Sequence, residues 1–148
     1  MINRFLGKYR FLSNFYGAPI TFKGRRFQTV EHAYQAAKTI NIADIEAIQN
    51  ASSAGHAKKL GKKVKLVADW ETLRPNVMRQ LLISKFLGYP ELKQKLLDTN
   101  DLTIIEGNRW HDTYWGYCEC GHCPPGKNML GKLLMQIRAE LRVADLSK

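Results

Sequence analysis

The residues best suited to chemistry stand in one run of eight, Glu31-His32-Ala33-Tyr34-Gln35-Ala36-Ala37-Lys38. On a helix, positions 31, 35 and 38 lie four and three residues apart, so a carboxylate, an amide and an amine share one face. Val30, Ala33, Ala36, Ala37 and Ile40 point roughly the other way. A carboxylate can move a proton, an amide can orient it, and a lysine stripped of its proton can attack an electrophilic carbon. The commoner meaning of such a stripe is a solvated face with a helix ion pair, and spacing alone leaves both readings open.

Two later stretches add groups of the same kind. In Asp112-Thr113-Tyr114-Trp115-Gly116, a second carboxylate precedes two aromatic rings that can desolvate a site and stack a base. The duller reading is a loop carboxylate capping a turn. In Gly126-Lys127-Asn128, just before a helix, exposed N–H groups, the helix dipole and a lysine would make an anion site. The same residues also suit a turn with Asn128 as N-cap. Trp70, between Asp69 and Glu71, is either a half-buried core indole or a stacking platform, and Trp110 reads as structural.

Cys118-Glu119-Cys120-Gly121-His122-Cys123 offers four soft ligands in six positions. Tetrahedral sites draw on ligand pairs separated by a longer loop, and one short loop wraps an ion poorly. The expectation is therefore no metal and no cofactor.

The elements that must position these groups read as mainly helical. Pro19 to Phe27 alternates around Lys23-Gly24 and suggests a hairpin. Thr29 suits the N-cap of a helix to about Thr39, with His32 where a capping-box acid would sit. Ala43 to Gln49 and Ser53 to Lys63 read as short helices. A longer helix begins after Leu73, with Pro75 in its first turn and Gly88 at its end. Its apolar positions are Val77, Leu81, Leu82, Phe86 and Leu87. Pro90 opens a helix burying Leu92, Leu96 and Leu97 and stopping near Asn100, and Leu102 to Glu106 is the best strand. The last helix, about Asn128 to Val143, buries Leu130, Leu133, Leu134, Ile137 and Leu141. The fold class expected is α+β, a mainly helical single domain over residues 1–148 with a few short strands.

Composition narrows the partners. Twenty-three Lys plus Arg against 13 Asp plus Glu leave a formal net charge of +10, which favours polyanionic ligands. His56, Lys58, Lys59, Lys62, Lys63 and Lys65 fall within ten residues. That run is either a solvated lysine-coated helix end or a patch tracking a nucleic-acid backbone, so DNA contact is plausible. No apolar run is long enough for a bilayer, Met1-Ile2-Asn3-Arg4-Phe5 is not a secretory leader, and three bunched cysteines make no disulfide framework. A cytoplasmic location without membrane contact is expected.

Phe11-Leu12-Ser13-Asn14-Phe15, Glu31 to Lys38, Trp70, Lys85-Phe86, Asp112 to Gly116, Gly126 to Gly131 and Arg138 occur in an order and spacing that resemble the NADAR (YbiA-like) family, from about Phe11 to Arg138. The resemblance implies a small domain acting on N-glycosidic bonds of ribose-containing ligands. Its substrate classes are ADP-ribose on guanine in nucleic acid and ribosylated pyrimidine intermediates of riboflavin biosynthesis. Such cleavage passes through an oxocarbenium-like state that a carboxylate or a nucleophile must meet. Glu31, Lys38 and Asp112 are the expected catalytic groups, and Lys38 can capture the anomeric carbon as an imine. Ligand contacts are expected from Asn14, Phe15, His32, Gln35, Trp70, Trp115, Gly116, Lys127 and Asn128. The cysteine-bearing segment with Pro124-Pro125 stands where the family has a short glycine-rich loop, a departure that bears on substrate choice. A non-catalytic ADP-ribose or NAD binder and a zinc-dependent nucleic-acid-binding module are the readings from other classes.

Overall fold

A computed structural model describes residues 1–147. Its contacts divide the chain into two units, Asn14–Pro90 and a second made of Met1–Ser13 with Glu91 onward. The mainly helical α+β class expected from the sequence is what is found.

The Asn14–Pro90 unit opens with an antiparallel hairpin, β1 (Ile20–Phe22) and β2 (Arg25–Phe27), in register Ile20↔Phe27. Lys23 and Gly24 both have positive φ, as a two-residue hairpin turn requires. Helix α1 (Val30–Ala36) follows, with the Thr29 side chain accepting from the His32 N–H as its N-cap. The helix stops short of Thr39. Lys38 and Thr39 donate to Gln35 and Ala36, three residues back, so the chain tightens into a turn and leaves the α-helical register. Helices α2 (Ile42–Gln49) and α3 (Ala54–Gly61) come next, capped by Asn41 and Ser53.

The long helix α4 (Trp70–Gly88) begins before the expected start, leaving Pro75 inside it. Its buried side chains are Trp70, Met78, Leu81, Leu82, Lys85 and Phe86, whereas the expected core residue Leu87 is 59% exposed. Within this unit α1 packs against α2, α3, α4 and both strands. A central position explains why all seven of its residues are buried, polar ones included.

In the other unit, a 3₁₀ helix (Gly7–Leu12) buries Phe11 and Leu12, and α5 (Pro90–Leu97) buries Leu92 and Leu96. The segment 102–106 is not a strand. Ile104 makes a single bridge to Ile2, and the side chain of Asn128 takes up the neighbouring backbone groups, accepting from the Glu106 N–H and donating to the Ile104 carbonyl. An amide side chain replaces part of the ladder. Pairing begins just afterwards, with β3 (Gly107–Asn108) parallel to β4 (Tyr117–Cys118). Helix α6 (Met129–Leu146) buries the expected stripe of Leu130, Leu133, Leu134, Ile137 and Leu141, together with Arg138. Arg138 donates to Thr99 and to the Leu102 carbonyl. No helix among the described residues is long and apolar enough to cross a membrane.

Candidate active site

The polar stripe of α1 is not a solvated face. Glu31 and Gln35 are 7% and 3% exposed, and the Gln35 amide donates to a Glu31 carboxylate oxygen at 2.8 Å. Burying a carboxylate is costly without hydrogen bonds to it, and this bond supplies one. The Glu31 backbone N–H donates to the Asn14 carbonyl, which fixes the 14–16 segment beside α1. Two acceptors there have no protein partner: the side-chain oxygens of Asn14 and Gln35. Gly61 of α3 lies so close that a Cβ would overlap the Gln35 oxygen. Only glycine lets α3 approach that amide.

Lys38 sits in the turn after α1, its ammonium 5.6 Å from the centre of the Tyr34 ring. Burial pushes its pKa below the ordinary lysine value. Glu31 pulls it back up, while Lys58, Arg74 and Lys62 push it down again. One carboxylate and three cations therefore act electrostatically on one partly buried amine. Two of the cations, the half-buried Lys58 and the exposed Lys62, belong to the lysine-rich run.

Other expected ligand contacts in this unit fare differently. His32 is fully buried, with Nδ1 2.8 Å from the Thr29 hydroxyl and Nε2 3.1 Å from the Ala51 carbonyl. A carbonyl only accepts, so Nε2 carries the proton and Nδ1 accepts from Thr29. Both ring nitrogens are used in holding the start of α1 against Thr29 and Ala51. Trp70 is 6% exposed and packs on Tyr34 at 5.4 Å between ring centres, so its indole supports the site from behind. Phe15, beside Asn14, is 44% exposed against 6% for Trp70.

Sequence reasoning passed over Lys85 as a functional group. It lies on the apolar face of α4, seven residues after Met78, and is fully buried with Tyr16 and Phe86 rings within 5.5 Å of its nitrogen. Burial lowers its pKa to about 7. The signal was legible: a lysine occupies a position where the helical period calls for an apolar residue.

Asp112, Trp115, Gly116, Lys127 and Asn128 belong to the other unit, in which no buried side-chain polar atom among the described residues lacks a hydrogen-bond partner. One Asp112 carboxylate oxygen accepts from the backbone N–H groups of Tyr114 and Trp115 at 3.1 and 2.9 Å, a turn-capping arrangement. Asn108, 2% exposed and overlooked in the sequence, donates to Glu106 and the Asp112 carbonyl and accepts from the Asp112 N–H. A Cβ on Gly116 would overlap Glu106, and one on Gly126 would overlap the Gly116 carbonyl.

The anion site expected ahead of α6 is not open. The N–H groups of Lys127, Asn128, Met129 and Leu130 donate to the carbonyls of Thr113, Gly116, Tyr114 and Trp115. Four donors that would cradle a phosphate instead bind the 113–116 loop. The Lys127 side chain stays exposed, 5.7 Å from the Tyr114 ring centre. Asn128 occupies the N-cap position without capping through its side chain. Trp110 is 60% exposed and is no core residue. The cysteine loop also departs from expectation, since His111 and not His122 faces Cys118, Cys120 and Cys123.

A family model described as the NADAR domain matches residues 4–142. The chain is 35% identical over 139 residues to an N-glycosidase of Nostoc punctiforme, covering 90% of this chain and 86% of that one. It is 36% identical over 137 residues to the N-glycosidase YbiA of Escherichia coli, covering 91% and 83%. A riboflavin biosynthesis protein of Vibrio vulnificus is 36% identical over 134 residues, which are 89% of this chain and 35% of that protein. The NMR structure of E. coli YbiA superposes with a TM-score of 0.87 at 33% identity, covering 100% of this chain and 89% of that one.

Proposed function

The chain belongs to the NADAR family, and we propose that it is an N-glycosidase that removes ADP-ribose from guanine in nucleic acid, with its chemistry on Glu31 and Lys38. The observation that carries this reading is the buried Glu31–Gln35 pair together with a partly desolvated Lys38, whose charged form is favoured by Glu31 and disfavoured by Lys58, Arg74 and Lys62. A carboxylate and an amine serve the anomeric carbon and the leaving base. Those cations suit a ligand carrying phosphates. Neutral metabolites gain nothing from them.

In the proposed route the neutral Lys38 amine attacks the anomeric carbon as its bond to the guanine nitrogen breaks. The base takes up a proton delivered through Glu31, and the nitrogen of Lys38 gives up one. Opening the ribose ring then breaks the bond from the anomeric carbon to the ring oxygen, which is protonated as the imine forms. Water adds to the imine and releases the sugar aldehyde with the free amine. The unpartnered Asn14 and Gln35 oxygens accept from ligand hydroxyls, and Phe15 stacks on a base. Asp112 caps its own loop and takes no step in this route.

The deciding experiment uses a DNA oligonucleotide carrying ADP-ribosylated guanine, with wild type beside Lys38→Ala and Glu31→Ala. The expected result is release by wild type and none by either variant. Borohydride added during turnover should leave a sugar adduct on the peptide containing Lys38. An adduct on Lys85, the other lysine of lowered pKa, would reassign the nucleophile, and turnover without any adduct would favour water activated by Glu31. The second reading is hydrolysis of ribosylated pyrimidine intermediates of riboflavin biosynthesis, favoured by the likeness to the Vibrio protein. It becomes the better one if folded wild type leaves the oligonucleotide intact and cleaves those intermediates. Binding of ADP-ribose without turnover of either substrate would indicate a non-catalytic module.

A further inference from the structure

We propose that His111, Cys118, Cys120 and Cys123 bind one zinc ion, through the histidine Nδ1 and three thiolates, as a closed structural site. With His122 as the fourth ligand, all four donors would fall on one short loop, which wraps an ion poorly. The fold supplies a different histidine. His111 lies seven positions before Cys118, on the far side of the 112–116 loop, so the ligand set is a separated histidine followed by Cys-x-Cys-x-x-Cys. His122 is exposed, and its contribution is a backbone N–H directed at the Cys120 sulfur at 3.4 Å.

The four donor atoms lie within 4.8 Å of one another. Zinc–sulfur bonds of about 2.3 Å and zinc–nitrogen bonds of about 2.0 Å set the edges of a tetrahedron at roughly 3.5–3.8 Å. The His111 nitrogen is 3.1 Å from the Cys123 sulfur and 3.7 Å from the Cys118 sulfur, and the Cys120 and Cys123 sulfurs are 3.3 Å apart. All three cysteines are free. One ring nitrogen converging on two sulfurs is more than a single hydrogen bond uses, and an ion at the common centre would satisfy every donor together.

Local backbone supports the convergence. Gly121 has φ of 84°, which lets the chain reverse between Cys120 and Cys123. His111 itself has φ of 69°, in the left-handed region that histidine adopts more readily than most non-glycine residues, and its neighbour Asp112 is held on both backbone sides by Asn108. The β3–β4 pairing sets Cys118 opposite Asn108, while Arg4 grips Glu119 at 2.8 Å. Three sulfurs and one nitrogen leave no open coordination position, which is the character of a structural ion. Zinc held there would clamp both ends of the 112–117 segment. Three thiols lose their protons on binding, and affinity falls as the medium is acidified.

This inference stands apart from the proposed activity, and its readout is the metal. Untagged full-length protein, purified under reducing conditions from zinc-containing medium, should carry close to one zinc per chain by elemental analysis. His111→Ala and Cys123→Ser should lose most of it, and His122→Ala should keep it. Because the cysteine variant can fail to fold, wild type stripped of metal is also titrated with cobalt(II). Intense d–d absorption with a sulfur-to-cobalt band, reaching its plateau at one equivalent, marks a tetrahedral thiolate site. Folded wild type that lacks zinc and gives no such spectrum overturns the proposal. So does stoichiometric iron in place of zinc, and zinc loss on His122→Ala instead of His111→Ala overturns the ligand set.

Discussion

The α1 stripe and the 104–130 loops contain the same kinds of side chain and use them in opposite ways. Around the loops, Asn108 and Asn128 spend both ends of their amides on protein, Asp112 caps a turn, and four N–H groups ahead of α6 are consumed by carbonyls. Around α1, the Asn14 and Gln35 oxygens are buried without partners, and an amine sits partly desolvated among cations. Buried polar groups are ordinarily paired. The paired set reads as scaffold, and the unpaired set reads as directed at a ligand.

The largest effect that would sharpen this contrast is on turnover. Glu31→Gln keeps the shape of the side chain and removes the acid, and it should lower kcat by about 10²–10⁴-fold with little change in melting temperature. A loss below tenfold would move the chemistry elsewhere. Lys38→Ala should behave alike.

Next comes a pair of asparagines that should separate stability from binding. Asn108→Ala strands the Asp112 N–H and carbonyl and should cost about 2–3 kcal/mol, a drop in Tm on the order of 5–10 °C for a domain of this size. Asn14→Ala removes an oxygen that no protein group uses and one long amide contact to the Met78 sulfur. It should lower Tm much less than Asn108→Ala and weaken ligand affinity. Equal thermal effects from the two would erase the distinction between scaffold and ligand-directed groups.

Much of this was legible in the sequence, for identifiable reasons. The hairpin at Lys23-Gly24, the Thr29 cap and the leucine stripe of α6 are local signals in which chemistry and period agree. The acid, amide and amine of α1 were also visible, but their burial was not, because it depends on five elements closing around a seven-residue helix. Asn108 and Asn128 act on backbone groups brought close by folding, which no local pattern shows. The same holds for His111. Its separation from the cysteines is set by a two-residue parallel pairing too short to have a sequence signature.

Lys85 tests the stability side of the Asn14–Pro90 unit by pH. Its pKa is about 7 when folded, against roughly 10.4 when unfolded. Between those values the unfolded chain binds the extra proton, so this lysine makes stability rise with pH by up to about 1.4 kcal/mol per pH unit. Its contribution is complete above the unfolded value and is lost as pH falls through the folded one. Urea unfolding at pH 7, 8 and 9 should therefore show Lys85→Met more stable than wild type at pH 7, with the gap narrowing as pH rises. A gap independent of pH would mean that Lys85 stays in one protonation state throughout.

The smallest effect separates two faces of α3. Lys58 and Lys62 are four residues apart and both bear on Lys38, whereas no such influence is seen from Lys59 and Lys63, one position further round the helix. If the first pair meets the phosphates of the ligand, Lys62→Gln should reduce the slope of log affinity against log salt by about 0.7–0.9, and Lys59→Gln should leave it alone. Removing Lys62 also removes one of the charges that depress the Lys38 pKa. The free amine then becomes populated only at higher pH, so the rising limb of the rate profile should move to the alkaline side in Lys62→Gln and stay in place in Lys59→Gln. Matching salt slopes and matching profiles for the two variants would return the lysine run to a solvated surface and leave Glu31 and Arg74 as the charges acting on Lys38.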